Sequence, residues 1–185
     1  MEEIKNIIED LLKSTGIEGV GKLLEHMEKE GFYTAPCSSQ YHLCYEGGLA
    51  EHSLNVYSTM ESMGDSLGYL DIHHDIAICG LLHDIGKMGL KGQPYYVPNI
   101  LTSGKVSDKK PWETNKALAG IPHEVLSVTL ISQFITLTEK QYNAILFHNG
   151  LYTSLGQGIK GKETDLYLLL HSSDMWCSRI IEKED

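Results

Sequence analysis

His83 and Asp84 stand side by side at the end of an apolar run, Ile76-Ala77-Ile78-Cys79-Gly80-Leu81-Leu82. Carrying an imidazole and a carboxylate into an apolar interior without partners is strongly unfavourable. Asp84 also falls at the carbonyl end of the helix this run predicts, where the dipole opposes a negative charge by roughly 0.3 to 1 kcal/mol. A bound cation removes both penalties. Taken alone, the dipeptide is equally a solvated helix end in which Lys87 pairs with Asp84. Recurrence separates the two readings: His52, His123, His148 and Asp174 also lie near helix ends or on apolar helix faces. Four imidazoles and two carboxylates are the donor set of manganese, iron, zinc or a similar first-row ion rather than of calcium.

Around these residues the chain resembles the HD superfamily of metal-dependent phosphohydrolases. Gly47-Gly48-Leu49 followed by His52-Ser53-Leu54, within the segment that begins at Tyr41, is similar to the family's GGL-x-x-H-[ST]-L signature. Leu82-His83-Asp84-Ile85-Gly86-Lys87 is similar to its defining motif, and the order His52, His83-Asp84, His123, His148, Asp174 matches over roughly residues 41 to 177. The resemblance implies an all-α helical bundle. It also implies two divalent transition-metal ions, one held by His52, His83, Asp84 and Asp174, the other by His123 and His148, with Asp84 bridging. Two departures bear on the second ion: Glu124 follows His123 where the family often has glycine, and His148 stands alone where some relatives have two histidines.

The reaction so implied is hydrolysis of a small phosphoester, a nucleotide or related phosphate, by a hydroxide bridging the ions, with no protein nucleophile. Asp84 and Lys87 would be the catalytic residues, Lys87 offsetting charge on phosphoryl oxygens or holding a substrate phosphate. His42 would orient a ligand or bind substrate. Two alternatives share the donor set: a di-iron oxygenase of the kind exemplified by myo-inositol oxygenase, and a non-catalytic nucleotide sensor. His171, one turn before Asp174, reads as a core histidine or as the residue that orients Asp174. His26, His73 and His74 read as solvated, and Tyr95, Tyr96 and Trp112 as hairpin packing or as a lid.

These residues need helices to position them. Apolar spacing predicts helices over residues 3–14, about 20–30, 49–67, 71–84 with Asp71 as cap, and from Pro122 through Phe134. Gly86 reads as a left-handed C-terminal cap of the fourth. Thr138 to Gln141 has capping-box spacing for a helix ending near His148, and a last helix runs from about Thr164 to Ile181. Residues 90 to 116, with three of the five prolines, read as a β-hairpin insertion. One domain over 1–185 is expected, with its motif-bearing core at about 41–177.

A formal net charge of -10 with no basic run disfavours long nucleic acid as a partner. A small phosphorylated substrate stays compatible, because bound cations reverse the local field. The acidic N-terminus does not resemble a secretory signal, no stretch would span a bilayer, and Cys37, Cys44, Cys79 and Cys177 form no CxxC pair. Together these predict a cytoplasmic protein with reduced thiols.

Overall fold

A helix that is apolar nearly all round must be enclosed on every side, and in α4 (His73–Leu82) every residue from Ile76 through Leu82 is buried. In the computed structural model, which describes residues 1–69 and 71–183, the enclosing elements are α1 (Glu2–Ser14), α3 (Gly48–Leu67), α6 (Glu139–Phe147) and α7 (Asp165–Trp176). The approach of α3 to α4 is so close at Gly80 that a Cβ there would press on the Tyr57 backbone. The remaining helices, α2 (Val20–Glu30) and α5 (His123–Ile131), pack against a short 3-10 turn, Ile85–Met88. Ile8, Leu23, Met60, Leu81, Ile131, Ala144 and Leu170, one from each helix, belong to a single apolar cluster. Each large side chain so enclosed contributes about 1.5–3 kcal/mol.

The fold is all-α apart from one small hairpin, as expected. Strands β1 (Tyr96–Pro98) and β2 (Trp112–Thr114) pair antiparallel, with Tyr96 opposite Thr114 and Pro98 opposite Trp112. The Trp112 indole N–H donates to the Cys44 carbonyl at 2.9 Å and its backbone N–H to the Ser39 carbonyl at 3.3 Å. Trp112 therefore fastens the hairpin to the loop that precedes α3 and is no lid. Among the described residues, no helix is long and apolar enough to cross a membrane.

Several local expectations are corrected. The helix carrying the His-Asp pair ends at Leu82, so His83 caps it and Asp84 stands beyond it; Ile72, not Asp71, occupies the N-cap, without a side-chain bond. Gly86 does not adopt left-handed geometry; the positive φ falls instead on Gly89, at 105°, after the 3-10 turn. Gly86 is instead a packing residue: its N–H donates to Ser127 Oγ at 2.9 Å, and a Cβ there would run into the His123 carbonyl. Pro122 is the N-cap of α5 rather than part of its first turn, and α5 stops at Ile131. Phe134 lies beyond it, its ring 4.9 Å from that of His26, whose Nε2 is buried rather than solvated. The last helix changes at Cys177 into a π-helical turn ending at Ile181.

Candidate metal centre

Helix ends deliver the chemistry. His83 and His148 are the C-caps of α4 and α6, His123 is the first residue of α5, and His52 and Asp174 come from within α3 and α7. All converge on Asp84. Its Oδ2 lies 3.5 Å from His83 Nε2 and 3.7 Å from His52 Nε2, while its Oδ1 lies 3.2 Å from His123 Nε2 and 3.4 Å from His148 Nε2. The Asp174 carboxylate closes the His52 side at 3.2 Å. The two oxygens of one carboxylate thus face two separate histidine pairs.

The imidazoles share a construction. His83 Nδ1 is 3.0 Å from the Gly80 carbonyl, His148 Nδ1 2.7 Å from the Ile145 carbonyl and His52 Nδ1 2.9 Å from Glu182. His123 Nδ1 is 3.4 Å from Glu124. An acceptor at Nδ1 takes the proton there, so that a neutral ring offers its Nε2 lone pair to the centre, the arrangement that orients histidine ligands. His52 Nε2 and His83 Nε2 then stand 3.3 Å apart. Asp84 Oδ1 is buried and accepts no hydrogen bond. Converging lone pairs around an unsatisfied carboxylate oxygen fit cations and little else. Three overlapping groups, His52-His83-Asp84, His83-His148-Asp174 and Asp84-His123-His148, each bring their donor atoms within 4.8 Å of one another.

Lys87 is not solvated. Its ammonium lies 2.6 Å from Asp84 Oδ2, with a side chain 12% exposed. Burial opposes ionisation of Asp84, but the Lys87 charge and the surrounding imidazoles outweigh it and hold the carboxyl well below the usual range. Burial drives His83 down to about 4, so it is a neutral donor at ordinary pH. His42 does not reach Asp84; its Nδ1 lies 2.6 Å from Glu182, the carboxylate that also contacts His52 and accepts from Asn55 at 3.0 Å. His171 makes its contact with the His148 carbonyl at 2.6 Å, bracing the end of α6. Tyr95 puts its ring 6.2 Å from that of His123.

The sequence reading missed four participants. Glu182 sits in a charged tail that looks solvated, and no spacing signals its return to His52. Glu124 had a faint signal in its adjacency to His123. Asn149, the residue after His148, donates to Glu124 at 2.9 Å and has its amide nitrogen 3.2 Å from His123 Nε2. Cys37, in no disulfide, is buried within a further group with His42 and His52. Burial works against a thiolate at Cys37, but His52, Lys87 and His42 together bring it down to about 7.

A cavity of about 710 Å³ opens over the centre, with Asp84, His148 and Asp174 in its floor and Tyr41, Lys87 and Arg179 among its walls. A family model described as HD domain matches residues 49–171, which takes in His52, His83, Asp84, His123 and His148 and stops short of Asp174 and Glu182. Comparison with curated proteins and with solved structures found no match to either.

Proposed function

The chain belongs to the HD domain family, and from that premise we propose that it is a metal-dependent phosphohydrolase acting on a small phosphoester, a nucleotide or related phosphate. The observation that carries this reading is Asp84, one buried carboxylate whose two oxygens address two histidine pairs. His52, His83, Asp84 and Asp174 would hold one divalent transition-metal ion, and Asp84, His123 and His148 another. Bound there, such ions lower the pKa of water and polarise phosphoryl oxygens. The protein's own part is to aim the donors, exclude bulk water from the floor and present the Lys87 ammonium to the cavity, where it offsets charge on the phosphoryl group. Glu182 and Glu124 keep His52 and His123 in the tautomer that faces inward.

A 710 Å³ cavity suits one small molecule, and a net charge of -10 with no basic run opposes a long nucleic acid. The absence of disulfides among the four cysteines supports a cytoplasmic setting. Elemental analysis paired with a phosphate-release screen over small phosphoesters tests the proposal, with Asp84→Ala as control. The wild-type chain should retain metal and release phosphate; the variant should lose both while keeping its far-ultraviolet helical signal. Metal retained at full stoichiometry by Asp84→Ala would remove Asp84 from the centre. An oxygen-dependent mixed-valent iron signal without phosphate release would favour the oxygenase.

A further inference from the structure

Arg179 is the only arginine in a chain that carries fourteen lysines and a net charge of -10, and it lines the cavity above the metal centre. It lies within the π-helical turn Cys177–Ile181. Wide turns of this kind recur at functional sites because they re-aim side chains that a regular helix would point elsewhere. Here one i→i+5 step separates Asp174 in the cavity floor from Arg179 in its wall. Ser178, Arg179 and Lys183 all reach the cavity, while Ile180 and Ile181 are exposed away from its lining. Neither Arg179 nor Lys183 has an ion-pair partner among the described residues, and Glu182, the carboxylate between them in sequence, is occupied by His42, His52 and Asn55. Lys87, by contrast, is already committed to Asp84. Of the lysine and arginine side chains that line the cavity, Lys87 is therefore neutralised by Asp84, and Arg179 and Lys183 have no ion-pair partner among the described residues.

We infer that Arg179 and Lys183 form a second anion subsite, and that the substrate carries two phosphoryl groups, one over the metal centre and one held at the wall. An arginine fork matches a phosphate in bidentate fashion and a lysine adds a point charge, so together they favour a phosphate over a neutral substituent. The inference rests on reading the cavity as a phosphoester site.

The test uses the manganese-loaded full chain and three probes: adenosine 5'-monophosphate, adenosine 5'-diphosphate and adenosine 3',5'-bisphosphate. The readout is kcat/KM for phosphate release where a probe is turned over and Kd by equilibrium dialysis where none is. At least one two-phosphate probe should be favoured over the monophosphate by about tenfold or more, as for a charge-assisted contact. Whether the diphosphate or the bisphosphate wins tells whether the groups are contiguous or separated. Arg179→Gln with Lys183→Gln should bring the ratio to near one, Arg179→Lys should keep part of it, and Lys160→Gln, outside the cavity, should leave it unchanged. A ratio near one in the wild-type chain overturns the subsite, and so does a double variant that weakens all probes equally. Equal turnover of mono- and two-phosphate probes would sink the subsite while leaving the hydrolase reading in place. A preference in binding with no phosphate released from any probe would do the reverse.

Discussion

At the scale of single residues, the centre depends on acceptors behind each imidazole as much as on the imidazoles. Glu182→Gln keeps the shape but removes the negative charge from the oxygen that His42 and His52 share, and it sets an NH2 donor against the Asn55 amide that Glu182 now accepts from. Metal affinity should fall about 10- to 100-fold, read by competition with a chromophoric chelator; unchanged affinity would mean that His52 needs no help. Lys87→Met takes the 2.6 Å counter-charge from a buried Asp84. The metal-free protein should lose about 3–5 kcal/mol in urea denaturation, and most of the loss should return on adding a divalent cation. A deficit that the cation leaves untouched would show that Lys87 acts by packing. Lys87 was legible because its partner lies three residues away. Glu182 was not, since it meets His52 across 130 residues of chain and its neighbours Lys183, Glu184 and Asp185 look like an ordinary solvated end.

At the scale of elements, α4 and α6 end on the same device. Each C-cap histidine points Nδ1 at the carbonyl of the residue three before it, Gly80 in one case and Ile145 in the other, satisfying an otherwise orphaned helix-end acceptor while aiming Nε2 inward. The apolar run disclosed α4, though its end falls at Leu82 rather than at Asp84, and capping-box spacing disclosed α6, where the box appears at Thr138 as foretold, with Gln141 bonded in both directions. Thr138→Ala should cost about 0.5–2 kcal/mol by denaturant midpoint at unchanged m-value. The packing of one element on another was less legible. Gly86 looked like a cap because a glycine after a helix usually is one, whereas its real constraint is the backbone of α5, remote in sequence. Gly86→Ala should therefore force α5 away from the 3-10 turn, costing about 1–3 kcal/mol and weakening the second metal more than the first, because His123 starts that helix. Both ions weakened equally, or neither, would contradict this route from Gly86 to His123.

For the molecule as a whole, enclosure of α4 and of the turn after it by helices from both ends of the chain is what buries the centre; α1 packs on α4 and α2 on the turn Ile85–Met88, although both helices lie outside residues 49–171. Periodicity showed that these leading helices have apolar faces; it could not show that Ile8 and Met27 would join the core that carries the His-Asp pair. Burying so many ionisable groups gives the metal-free protein a pH profile with two limbs. Burial places the folded-state pKa of His83 at about 4, below the about 6.5 of an unfolded histidine, so the unfolded chain binds more protons between those values and stability falls as pH drops from 6.5 toward 4. His42 has the opposite sign: burial resists its protonation, but Cys37 and Glu182 overcome that and raise it to about 9. Its contribution is complete below about 6.5 and fades as pH climbs toward 9. These two groups together place the maximum near pH 6.5; His52, raised by Cys37, Asp174 and Glu182 against its own burial, adds to the alkaline limb, and Cys37, brought down to about 7, partly offsets it because its thiolate favours the folded chain as pH rises from 7 toward 9. Urea denaturation of chelator-treated protein across pH 4 to 9 should trace a peak, and His42→Gln should flatten its alkaline side while leaving the acid side in place. An alkaline slope that His42→Gln leaves the same as in the wild-type chain would mean that His42 is neutral in the folded chain, which would remove the charge-assisted contact assigned to it with Glu182.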